Sequence, residues 1–149
     1  MHKSKVKSLP AGRQGQKGFT LIEMLIVIGI IGLLAVFLVP NLLGARDRGQ
    51  ETAVKGVMHN LQLAIESYNM ENEVYPMGRN VGVESLCRDY LMPGGYIAAI
   101  PKNPFTGRTY TDGDSAGKIV YNYDDATAVY TLTGYKRNGF ATLLELTNL

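Results

Sequence analysis

Between Phe19 and Val39 the chain carries 21 residues, and Glu23 is the only charged one. At about 1.5 Å per residue such a run forms a helix of roughly 30 Å, enough to cross the hydrocarbon core of a bilayer. An acid inside a membrane helix costs a few kcal/mol even on lenient insertion scales, so Glu23 is expected to do a job and to have a cationic partner. The bland alternative is a carboxylate that reaches the interface and has no partner.

Charge on either side of the run sets topology. Lys3, Lys5, Lys7, Arg13 and Lys17 precede it, whereas Arg46 and Arg48 follow it with Asp47 between them. This asymmetry places the N-terminus in the cytoplasm and everything beyond Val39 outside. Without those five leader cations, ten Lys and Arg remain against thirteen Asp and Glu, a net charge of about −3. A nucleic-acid-binding face is therefore not indicated. A secretory signal peptide also joins a basic region to an apolar one, but its apolar segment runs only about 7 to 15 residues and carries no charge. A plain single-pass anchor fits the hydropathy too, yet needs neither Gly18 nor Glu23. Those two residues discriminate.

The segment Lys17-Gly18-Phe19-Thr20-Leu21-Ile22-Glu23, with its basic leader and apolar sequel, resembles the N-terminus of type IV prepilins and of the pseudopilins of type II secretion. The resemblance implies that a membrane-embedded peptidase cuts between Gly18 and Phe19 and methylates the new amine of Phe19. That amine is the missing cation: Glu23 of an incoming subunit would pair with Phe19 of the subunit already in the fibre and set the axial register. At about 4 Å and an effective dielectric near 20, such a pair is worth roughly 4 kcal/mol before desolvation, comparable with the cost of burying the carboxylate.

Beyond the run the helical pattern continues. Pro40 removes a backbone donor and Gly44 loosens the next turn, so a bend or local melting is expected at 40–44. Val54, Val57, Met58, Leu61, Ala64, Ile65 and Tyr68 then recur at spacings of three and four, one apolar helical face that forms the core side of an outer domain. His59, Asn60, Gln62 and Glu66 fall off that stripe and are expected to be wet or to face other subunits. The helix should end before Tyr75-Pro76. A helix from 19 to about 73 is roughly 80 Å long and cannot be buried by so small a chain, so half of it must find other subunits. Residues 76–118 are rich in turn signals and read as an ordered loop with one short helical turn at 84–91. Strand patterns follow at 118–123, 128–133 and 140–146, with Asp124-Asp125 and Asn138-Gly139 as the punctuation.

The fold class is thus α+β, and it matches the pilin shape implied by the resemblance. A leader (1–18) precedes the transmembrane half of a long helix (19–39) and its outer half (40–75), against which the loop and a small antiparallel sheet pack (76–149). Tyr75-Pro76, Leu86, Tyr90-Leu91, the stretch from Ile100 to Gly107 and Tyr110 resemble the loop of the major pseudopilin of type II secretion. The resemblance is close at 18–45 and looser at 75–139. Asn103 and Phe105 stand where that family has Asp and Trp, and Lys136-Arg137-Asn138 is basic where calcium-binding members have an acidic late loop.

Other chemistry is sparse. Asp112, Asp114, Asp124 and Asp125 are oxygen donors of the kind calcium takes, but no full ligand loop is present, and solvated turns are the favoured reading. No cofactor is expected. Cys87 is the single cysteine and reads as a buried, inert thiol. A membrane-tethered hydrolase would need a catalytic constellation that the chain does not show. The sequence reading is a non-enzymatic subunit of a type II secretion pseudopilus, with a type IV pilus subunit as the alternative. Its implied partners are a prepilin peptidase, an inner-membrane assembly platform, minor pseudopilins and further copies of itself. Mass spectrometry of the membrane-extracted protein should find N-methyl-Phe19 at the mature N-terminus; an intact Met1, or a cut near Ala45, would contradict this reading.

Overall fold

The computed structural model describes residues 18–148, without the side chains of residues 40 and 41. The leader cations at 3–17 lie outside the described residues. The chain divides into two compact units between Pro40 and Asn41.

Helix α1 spans Leu21–Asn72. Its helical assignment is unbroken through Pro40 and Gly44, without the local melting that those residues allow. A proline removes one backbone bond, and the bonded turns before and after it hold the helix. In the first unit the large apolar side chains between Phe19 and Val39 are 46–83% exposed. Among the described residues, α1 is the one helix long and apolar enough to cross a membrane. It ends where Glu73 turns left-handed, at φ 59°, just before Tyr75 and the buried Pro76.

The second unit is built on the outer part of α1. Val54, Met58, Leu61, Ala64 and Ile65 are buried, as their spacing requires. Four antiparallel strands, β1 (Val81–Gly82), β2 (Ile119–Asp124), β3 (Val129–Tyr135) and β4 (Thr142–Thr147), form a sheet in sequence order. Strand β3 alternates, burying Tyr130, Leu132 and Gly134. At Gly134 the sheet comes so close to α1 that a Cβ would lie 2.3 Å from the Met58 sulfur, so only glycine fits without displacing that side chain. Strand β1 falls in a segment expected to be loop. Its two pairs, Val81 with Tyr121 and Gly82 with Val120, are too few to leave an alternating signal. Helix α2 (Val83–Leu86) continues into a wider π-helical turn at Cys87–Leu91, closed by the Met92 amide donating to the Cys87 carbonyl at 2.8 Å.

Two residues placed off the apolar stripe are not left to water. Glu66 accepts hydrogen bonds from the Tyr130 hydroxyl at 2.6 Å and the Tyr75 hydroxyl at 3.0 Å, and the Gln62 amide reaches the Thr147 carbonyl at 3.5 Å. Both expectations are corrected. The tyrosines that pack on the helix bring hydroxyls with them, and a buried phenol takes its acceptor from Glu66 at the helix edge, while β4 ends close enough to offer Gln62 a carbonyl. His59 and Asn60 are exposed. The Tyr130 ring also packs between those of Tyr75 and Tyr121, with centroids 5.0 and 5.8 Å away respectively. Tyr121 donates to the Pro76 carbonyl and Tyr110 to the Gly117 carbonyl, each at 2.8 Å.

Burial pushes the pKa values of the Tyr110, Tyr121 and Tyr130 phenols up, and it pushes the Cys87 thiol up to about 11, with Asp112 adding to the effect. A raised folded-state value means that the protonated form stabilises the fold. That contribution is complete below the unfolded values, about 8.5 for Cys and 10 for Tyr, and is lost as pH rises through the folded ones. The denaturant midpoint of the detergent-solubilised chain, followed by near-ultraviolet tyrosine dichroism, should therefore hold to about pH 8.5 and fall steeply above pH 10. A midpoint unchanged well above pH 10 would contradict the burial of these phenols.

Candidate assembly site at the helix N-terminus

Gly18, Phe19 and Thr20 precede α1 in non-helical, exposed backbone, and the Phe19 residue is 76% exposed. The Gly18–Phe19 bond can therefore be engaged by a peptidase without unwinding the helix. Thr20 is the residue before the first helical turn and Glu23 is the third residue within it. The Glu23 carboxylate accepts from the Thr20 amide and from its hydroxyl, both at 2.8 Å and both through Oε2. The Glu23 amide donates back to Thr20 Oγ1 at 3.3 Å. This is a capping box, in which two otherwise orphaned amides are satisfied reciprocally. A negative charge in the first turn is also favoured by the helix dipole.

Glu23 thus has a partner within its own chain, one that the sequence analysis missed although Thr-x-x-Glu before an apolar run is its written signature. Its second oxygen, Oε1, accepts no hydrogen bond from the described residues. The carboxylate is held in a fixed rotamer by Thr20 and leaves its other oxygen open. An ammonium approaching along α1 would complete it.

The four candidate calcium ligands are not brought together. Asp112 caps α2, its Oδ1 taking the Glu84 and Ser85 amides at 3.0 and 3.2 Å while the Ser85 hydroxyl donates to its other oxygen. Asp114 accepts from Thr111 and from the amide of the fully buried Asn103 at 3.0 Å. Asp124 closes the β2–β3 turn through the Ala126 amide and the Thr127 hydroxyl, and Asp125 is exposed beside it. Asp112 packs against Gly82, which pairs with Val120. Asp124 lies four residues further along β2, about 13 Å away at strand spacing. Strand pairing therefore does not draw the two groups together. Cys87 is buried.

A prokaryotic N-terminal methylation motif matches residues 13–39. Type II secretion system core protein G of Vibrio cholerae is 40% identical over 98 residues, covering 60% of this chain and 66% of the relative. Core protein G of Klebsiella michiganensis is 35% identical over 103 residues, covering 64% of this chain and 72% of the relative. The chain belongs to the core protein G family of type II secretion. The type IV wide pilus major component PilA4 of Thermus thermophilus is 49% identical to this core G family member over 59 residues, 40% of the chain and 45% of the relative. No solved structure matches it significantly.

Glu23→Gln retains an acceptor for the capping box, because Gln serves at that position as Glu does, but removes the charge. Glu23→Ala removes both. Each variant of the core G chain should insert in the membrane and be cleaved at Gly18, since removing a charge eases insertion. Neither should appear in the sheared-fibre fraction of a strain lacking the wild-type copy. Wild-type fibre yield from Glu23→Gln would show that the cap, rather than the charge, is what assembly needs.

Proposed function

We propose that the chain is the major structural subunit of a type II secretion pseudopilus. A prepilin peptidase removes the leader after Gly18 and Phe19 becomes the methylated N-terminus. The helix anchors the subunit in the inner membrane with its N-terminus cytoplasmic and the outer unit extracytoplasmic. An inner-membrane assembly platform, together with minor pseudopilins, then draws copies into a helical homo-oligomeric fibre that drives protein secretion. The Phe19 amine of one copy takes the open oxygen of Glu23 in the next. The subunit is structural rather than catalytic, and its outer unit folds without a metal, a reading supported by the protein donors that Asp112, Asp114 and Asp124 already hold.

The observation that carries the choice of system is the reach of the likeness. Sixty per cent of 149 residues cannot be fitted within the 72 residues up to the end of α1, so the similarity to core protein G extends into the loop and sheet. The 59 matched residues of the pilus component are fewer than the 72 up to the end of α1, so that likeness requires no more than the leader and helix, the part that any fibre of this kind must share. That likeness supports a type IV pilus subunit as the second reading. Deleting the gene should abolish release of secreted enzymes into the medium and leave surface pili and twitching intact. Lost pili with normal secretion would instead favour the second reading.

A further inference from the structure

Loop 136–141, between β3 and β4, is a closed structure that displays one phenylalanine. The Lys136 amide donates to the Ala141 carbonyl at 2.8 Å and the Gly139 amide to the Lys136 carbonyl at 3.0 Å. The Asn138 side chain takes the amides of Phe140 and Ala141, each at 3.0 Å. Phe140 is 89% exposed, more than any other large apolar residue described. A loop with this many internal bonds does not leave an aromatic ring in water through slackness.

Arg137 fixes where the loop sits. Its guanidinium bonds Asp47 and Gln50 of α1, each at 3.2 Å, and lies 5.6 Å from the centre of the Phe105 ring. Gln50 in turn donates to the Pro104 carbonyl at 3.0 Å. The loop is therefore clamped to the turn of α1 that follows the exposed pair Leu42 and Leu43, 70% and 57% accessible. From Leu43 to Asp47 the helix rises only about 6 Å. Arg46, Arg48 and Lys136 are exposed and make no ion pair with the described residues. Of the nearby acids, Asp47 is held by Arg137 and Asp114 is turned to Thr111 and Asn103, which leaves Glu51 against three open cations. An aromatic ring in the loop of Lys136, held by Arg137 to the part of α1 that carries Arg46 and Arg48 and about one turn beyond Leu43, is complementary to a lipid headgroup layer.

We propose that this end of the outer unit rests on the membrane from which its own helix emerges. Phe140 enters the headgroup layer and Arg46, Arg48 and Lys136 meet the phosphates of anionic phospholipids. Docking sets how far α1 protrudes before a copy is drawn into a fibre, and it is released on extraction. The proposal rests on the membrane-anchored reading given above.

The chain contains no tryptophan, so Phe140→Trp in the full-length protein is a single reporter. The variant is reconstituted into phosphatidylcholine vesicles with or without phosphatidylglycerol, and flotation, emission and quenching by brominated lipid are read together. With phosphatidylglycerol the emission should shift to the blue and quenching should rise several-fold. High salt, Arg48→Glu or Lys136→Glu should reverse both, because the attraction is electrostatic and screened. Flotation with a water-like emission in both lipids would overturn the proposal alone. A blue shift that follows protein density rather than lipid charge would also overturn it, assigning Phe140 to contact between copies. Failure to float would overturn the anchor and the proposal together.

Discussion

The apolar surface of α1 between Phe19 and Val39 is left uncovered by the described residues, every large side chain there being at least 46% exposed. Burying a side chain of this kind is worth about 1.5–3 kcal/mol, so the run seeks an apolar medium as strongly as a small protein core does. Two media are available in sequence, lipid and the equivalent helices of other copies. They differ little in hydrophobicity, and the transfer between them is therefore governed by the few polar groups that distinguish one from the other. At this end of the chain those groups are Glu23 and the amine that cleavage would create.

Glu23 answers two demands with one carboxylate. A helix beginning in an apolar environment exposes amides that water does not satisfy, and the reciprocal bonds with Thr20 remove that penalty. A lone charge in lipid still requires a counter-charge, and in the proposed fibre it meets the oxygen that Thr20 leaves open. The cap fixes the rotamer, so the open oxygen points in one direction rather than many. An assembly contact built this way is preorganised, which reduces the ordering that each new copy requires. In the outer unit a comparable economy holds the helix to its sheet: Glu66 takes two phenols that the sheet presents, and Arg137 joins α1, the Pro104–Phe105 loop and the β3–β4 loop through one guanidinium.

Much of this was legible in the sequence because it follows local periodicity. The stripe from Val54 to Tyr68 had to be helical and buried on one side, and β3 alternates as a half-buried strand does, while β2 and β4 were marked by their β-branched, aromatic and apolar runs between turn signals. The Asn138-Gly139 pair marked the hairpin, although the structure uses a longer loop in which only Gly139 has a positive φ, 73°. What escaped was set by tertiary contact. Strand β1 is two residues paired to β2, at a place where Gly82 leaves room for the Asp112 carboxylate that a Cβ would displace. The inward role of Glu66 depends on phenols some nine and 64 residues away in sequence. Arg137 was legible only as a basic departure from a family pattern. The Thr20–Glu23 cap was written plainly, and was overlooked because Glu23 already had an explanation.

The central claim is that the charge on Glu23 finds the N-terminal amine of a neighbouring copy. A fibre reconstruction at side-chain resolution measures that contact directly. The account predicts Oε1 of Glu23 within about 4 Å of the Phe19 nitrogen of the adjacent subunit, with Oε2 still held by Thr20. A fibre in which the Glu23 carboxylate meets only its own Thr20, and the neighbouring amine lies well beyond ion-pair distance, would contradict it.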